Sequence, residues 1–176
     1  PELTNQILPV VGTGPDSDKS SVVIELVEGL LALGMRVAVC RLLGSVSHQA
    51  MRDLWTTAAH HVSDFSDYGF PSTYLCSEPE LLALFYTMVA DAMRTNPDII
   101  VLELTEGILQ RENQLLLSIP EVQQQVHSIV LAAASVRAAR QALRELQPFR
   151  CKVIAIGGPI IHLGATSCYV TDNTDL

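Results

Sequence analysis

At 176 residues, the chain has the length of one domain with a full hydrophobic core. Its formal net charge of −8 argues against duplex nucleic acid as a partner. Its interrupted apolar runs, about 5–10 residues each, are too short to span a bilayer.

Taken in order, Pro1 to Asn5 offers neither a basic start nor an apolar core, so no secretory signal is expected there and the protein is assigned to the cytoplasm. Ile7 to Val11 is an apolar run of strand length. A turn rich in Gly, Pro, Asp and Ser follows, from Gly12 to Asp18, and Lys19-Ser20-Ser21 then opens a helical pattern of Val22, Val23, Leu26, Val27, Leu30 and Leu31 that stops at Gly34. Strand, loop, Lys-Ser and helix make the layout of a phosphate-binding loop. The chemistry asks for that order. A helix N-terminus presents unpaired N–H groups and a partial positive charge to an anion. Lys19 is placed to reach outer phosphates, and Ser20 to hold a magnesium ion.

The pattern G-x-x-x-x-G-K-[ST] is met incompletely, because Thr13 and Asp18 stand where it wants glycine. If position 18 needs a left-handed backbone, a Cβ there costs about 1–2 kcal/mol, Asp being among the milder offenders. A carboxylate about 4 Å from a phosphate costs up to about 4 kcal/mol at an effective dielectric near 20. Asp16 adds a second acid.

Further along, Met35 to Leu43 reads as a second strand with Arg41 at its end, and Gln49 to His61 as a helix. Val62 to Tyr74, dense in acids and aromatics, reads as irregular loop. Glu78 to Asn96 is a helix with Leu81, Leu84, Phe85, Met88 and Val89 on its buried side. Ile99 to Leu104 is a strand closed by Thr105-Glu106-Gly107. Helical segments at Ile108–Leu117 and Pro120–Gln125, a strand at His127–Ala133, a helix at Ser135–Gln147 and a strand at Cys151–Ile156 follow. Ile160 to Leu176 holds a short strand and a polar tail. Short apolar strands alternating with helices predict a three-layer α/β domain with a mostly parallel sheet of about five to seven strands. No second domain or internal repeat is visible in residues 1–176, which form one domain or a part of a larger protein. Cys40, Cys76, Cys151 and Cys168 show no C-x-x-C spacing and read as reduced thiols.

In an open α/β sheet, ligands lie beyond the carboxyl ends of the strands. That rule selects Arg41 to touch phosphate or a substrate carboxylate, and the acids at the end of the Ile99–Leu104 strand, Glu106 first and Glu103 second, to hold magnesium. Glu103 inside an apolar run must face the cleft or find a partner. Asp64, Asp67 and Tyr68 occupy a long loop expected to border the same cleft, with Asp64 a further metal candidate. His48, His60 and His61 match no familiar metal spacing. Gly157, Gly158 and His162 are placed to line a base pocket, without the usual base-reading Asn or Lys-x-Asp.

With one residue more in the loop, Gly12-Thr13, five residues, then Lys19-Ser20, the chain resembles dethiobiotin synthetase and related cobyrinate-amidase and molybdopterin-nucleotide-type enzymes. Their loop reads Gly-Thr-Asp, three residues, Gly-Lys-Thr. Glu106-Gly107 also matches their Glu-Gly, and Arg41 stands where they carry a lysine; Gly14 and Asp18 depart from the pattern. The resemblance covers about the first 110 residues and implies a P-loop NTPase fold. It further implies ATP and magnesium as cofactors, a small carboxylate substrate, and phosphoryl transfer. The cofactor would contact Gly12, Thr13, Gly14, Asp18, Lys19, Ser20 and Ser21, with Lys19 and Arg41 catalytic and Ser20, Glu106, Glu103 and Asp64 around the metal. The sequence supports two readings: a nucleotide-binding domain with weakened or lost catalysis, and a non-catalytic assembly or small-ligand-sensing module on a degenerate loop. Homo-oligomerisation is left open. A flavodoxin-like or dinucleotide-binding reading lacks G-x-G-x-x-G and fits Lys19-Ser20 less well.

Overall fold

The apolar runs become the strands of one sheet. A computed structural model describes residues 6–105, 107–149 and 151–163, and six strands, β1 (Gln6–Gly12), β2 (Val37–Arg41), β3 (His61–Asp64), β4 (Ile99–Glu103), β5 (Ser128–Ala132) and β6 (Lys152–Gly157), join in the order β3-β2-β4-β1-β5-β6. Every pairing is parallel. Strands of this kind need cover on both faces, which is why β2 and β4 are buried at every position. Pro9 interrupts the apolar run of β1, yet β1 pairs with β5 only from Val10 onward. Pro9 therefore has a strand partner on one side alone, a position where its missing N–H is tolerated.

The period-two alternation of side chains separates two cores. On one face Leu8, Val10, Val39 and Val101 pack against Val22, Val23 and Val27 of α1 (Lys19–Ala32) and Leu54 of α2 (His48–Trp55). On the other, Ile7, Val11, Cys40 and Leu102 meet Leu81, Phe85 and Met88 of α3 (Glu78–Met93), with Leu116 of α4 (Arg111–Ser118), Val122 of α5 (Pro120–Gln123) and Ala142 of α6 (Val136–Leu146). The result is a three-layer α/β fold. Among the described residues no helix is long and apolar enough to cross a membrane.

Two local expectations are corrected. The helix expected to run from Gln49 to His61 stops at Trp55, and the supposedly irregular segment begins with the edge strand β3. This strand is four residues long and carries His, Ser and Asp, so it offers no apolar run to detect. A 3-10 turn, Phe65–Tyr68, follows it. Within Ile160–Leu176, where a short strand is expected, the described residues complete a 3-10 turn, Pro159–Leu163; the remainder of that segment, Cys168 included, lies outside the described residues. The three described cysteines are free thiols, and burial pushes the Cys40 thiol up to about 12.

The loop after β6 braces the loop after β1. Gly158 has φ of 93°, and a Cβ there would lie 2.5 Å from the carbonyl oxygen of Ser17 and 3.3 Å from the backbone of Ala133. Gly158→Ala is expected to cost at least about 1–2 kcal/mol from the left-handed backbone alone. A urea denaturation midpoint unchanged from wild type would show that this approach does not constrain the fold.

Candidate functional site

The site is built at the carboxyl end of β1. The Thr13 N–H donates to Ala132 O at 2.9 Å, Thr13 Oγ1 accepts from Ala134 N at 3.2 Å, and Gly12 O accepts from Ile108 N at 2.9 Å. These bonds fix the first limb of the loop between β4 and β5. A short 3-10 turn, Pro15–Ser17, comes next, with Ser17 N donating to Gly14 O at 3.1 Å. Asp18 then takes φ 51° and ψ 41°, the left-handed conformation that glycine would adopt without strain, and α1 begins at Lys19. The Asp18 carboxylate makes no cap bond to the helix amides; it accepts from Ser21 Oγ at 2.8 Å. The positive end of a 14-residue helix therefore opens beside the loop without a side-chain cap.

Three side chains converge below that helix end. Lys19 and Glu103 are 7% and 2% exposed, and Lys19 Nζ donates to Glu103 Oε1. Ser20 Oγ donates to the same oxygen at 3.1 Å. Glu103 Oε2 is buried and has no partner among the described residues. Sheet register explains the meeting: β4 lies beside β1, with Val10 opposite Glu103, so the end of β4 falls under the start of α1. Ser20 Oγ and the free Glu103 oxygen form an oxygen-only donor set of the kind magnesium takes, and an orphaned buried carboxylate oxygen fits such an ion. Glu106 lies outside the described residues.

The same row of the sheet carries two more charges. Arg41 is opposite Glu103 on one side and Asp64 on the other. Its Nη1 pairs with Asp64 Oδ2 at 3.1 Å, its Nη2 donates to Ser45 O at 2.8 Å, and its guanidinium carbon sits 5.3 Å from the Phe65 ring centroid. Asp64 Oδ1 accepts from Ser66 N at 2.8 Å. Asp64 is thus engaged by Arg41 and the following turn, and it does not meet Lys19 or Ser20. A lysine cannot reproduce the two-pronged contact of Arg41. Arg41→Lys is expected to lose about 1.5–3 kcal/mol, the range for one hydrogen bond to a charged group; chemical denaturation measures it, and no loss would show that one prong suffices.

Lys19, Ser20, Arg41 and Glu103 line one cleft of about 690 Å³, together with Thr105 and Arg111. Asp67 and Tyr68, expected at the same cleft, are elsewhere: Asp67 accepts from Asp64 N at 2.9 Å, and Tyr68 Oη donates to Asp91 at 3.0 Å. His60 Nδ1 accepts from Val37 N at 3.3 Å. Among the described residues no group of three or more His, Cys, Asp or Glu side chains gathers as a metal cluster. Gly158 packs against the loop backbone at Ser17.

Sequence inspection missed Asn113 and Thr105. Asn113 is fully buried in α4; its Oδ1 accepts from Thr105 N at 3.2 Å and its Nδ2 donates to Gly107 O at 2.8 Å, which fixes the turn leaving β4. Thr105 is 8% exposed, and its hydroxyl is buried without a partner among the described residues. An Asn at the third position of a helix carries no sequence signal for this.

No protein-family model matches the sequence, and no curated protein matches it. Solved structures do. The chain is similar to the signal recognition particle receptor FtsY from Elizabethkingia anophelis, with 16% identity and a TM-score of 0.57 over 88% of this chain and 50% of that one. It is similar to the kinase domain of the Escherichia coli tyrosine kinase ETK, at 18% identity and a TM-score of 0.57 over 94% and 71% of the two chains. The 54 kDa signal recognition particle protein from Aeropyrum pernix K1, solved in complex with GDP, gives 13% identity and a TM-score of 0.51 over 89% and 42%. The chain spans half the length of the FtsY chain it matches. At these identities the likeness is one of fold, and the fold is that of the P-loop nucleoside triphosphatases.

Proposed function

We propose that the chain is a nucleotide-binding domain whose loop, Gly12 to Ser21, seats the phosphates of a nucleoside triphosphate. The observation that carries this reading is the left-handed turn at Asp18, which opens the uncapped start of α1 beside Lys19, Ser20 and Glu103. Backbone N–H groups at that helix end would face the phosphates, and Lys19 would bind their outer oxygens. Ser20 and Glu103 would hold magnesium, which when bound neutralises charge on the phosphate oxygens; Glu106 is retained as a second metal partner from the sequence. Arg41 acts as a wall residue that holds β3 and the Ser45 segment in place, since Asp64 and Ser45 take its fork.

The resemblance to dethiobiotin synthetase makes ATP the first choice of nucleotide and a small carboxylate the second substrate. GTP is the competing nucleotide, because one similar structure holds GDP. The non-catalytic reading is favoured by one observation: Asp18 places a carboxylate in the phosphate-facing turn. Calorimetric titration with ATP and GTP, each with magnesium, separates the readings. Saturable binding of one nucleotide, abolished by Lys19→Ala, is expected; absence of heat with both would overturn the nucleotide assignment.

A further inference from the structure

Lys19, which would meet a phosphate, is held by Glu103, which would meet magnesium. Both are enclosed, at 7% and 2% exposure, and their contact is direct. Among the described residues, Lys19 and Ser20 share its Oε1, and Oε2 has no partner. Arg41, its neighbour across the register, cannot replace the lysine, because Asp64 and Ser45 take its guanidinium.

Resting on the nucleotide assignment, we infer that this pair is a lock that makes nucleotide binding conditional on a divalent cation. When Lys19 turns to a phosphate, Glu103 is left as a buried carboxylate with only the Ser20 hydroxyl against it. A buried charge stripped of its partner is strongly destabilising. Phosphates add negative charge to the same cleft. A cation reaching the free oxygen of Glu103 offsets both, so the lysine is released only when that cation arrives with the nucleotide. The lock differs from ordinary magnesium enhancement in one respect: its penalty resides in the Glu103 charge and disappears with it.

The experiment compares ATP and GTP binding to the wild-type chain and to Glu103→Gln, with magnesium and with EDTA. Wild type is expected to bind at least about a hundredfold more weakly in EDTA, the loss that follows from unpairing a buried charge. In Glu103→Gln, EDTA binding should strengthen by about the same factor and the magnesium effect should largely vanish. A second measurement needs no nucleotide. The chain has two lysines, Lys19 and Lys152, so reductive methylation read by mass spectrometry resolves each. Lys19 should be slow in wild type and at least about tenfold faster in Glu103→Gln, with Lys152 unchanged. Wild-type binding as tight in EDTA as in magnesium overturns the lock and leaves the nucleotide assignment standing. Lys19 that labels equally fast in both proteins overturns the lock as well. No binding of either nucleotide under any condition removes the nucleotide assignment, and the lock with it.

Discussion

Truncation of Glu103 to alanine is expected to destabilise the fold by about 3–5 kcal/mol, the usual consequence of leaving one member of a buried ion pair behind. Lys19, 7% exposed in the intact fold, would be left with its ammonium facing a cavity, and Ser20 would lose its acceptor. For a chain of this length the melting temperature should fall by about 6–20 °C. The pairing argument makes a stronger demand on the double variant. Lys19→Met together with Glu103→Leu removes both charges and refills the volume, so it should recover most of the loss, since apolar replacements of buried pairs are often neutral or better. Thermal and urea unfolding of wild type, single and double variants measure this. A double variant no more stable than Glu103→Ala would mean that the charge left behind is not the cause.

Asp18→Gly should tighten nucleotide binding about tenfold to a hundredfold. The left-handed backbone at φ 51° costs a residue with a Cβ about 1–2 kcal/mol that glycine avoids. The carboxylate opposes phosphate by up to about 4 kcal/mol at 4 Å before solvent and magnesium screening, which should leave about 1–3 kcal/mol in all. Asp18 is exposed and bonded to Ser21 Oγ, which favours the lower half of that range. Lys19→Ala in the glycine background should reverse the gain. Titration at fixed magnesium decides the matter, and a glycine variant that binds no tighter than wild type shows that Asp18 is not the obstacle.

Much of this architecture was legible in the sequence. The start of α1 at Lys19 and the parallel sheet follow from apolar strand runs that alternate with helical patterns and are separated by Gly, Pro, Asp and Ser. The edge strand β3 was not legible, because four residues with half-buried His61 and Val62 show no periodicity. That omission hid the Arg41–Asp64 pair, which exists only because β3 aligns Asp64 with Arg41. Glu103 was recognisable as a carboxylate needing a partner within an apolar run. Its partner, however, lies 84 residues away, and no local pattern encodes that distance. Asn113 illustrates the same limit from the other direction: its bonds serve backbone atoms of the preceding turn, which sequence spacing does not reveal.

The strand order also has a consequence for how the chain is made. β1 takes its sheet partners from β4 and β5, Gln6 meeting Ile99 and Val10 meeting Val130. Contacts so distant in sequence slow folding, because the intervening chain must be ordered before they form. On a ribosome, which adds residues from the N-terminal side, β1 emerges with no strand to join until β4 has been synthesised. Lys19 likewise waits for Glu103. A nascent chain stopped anywhere between α1 and β4 therefore holds an apolar strand and a charged lysine without their partners.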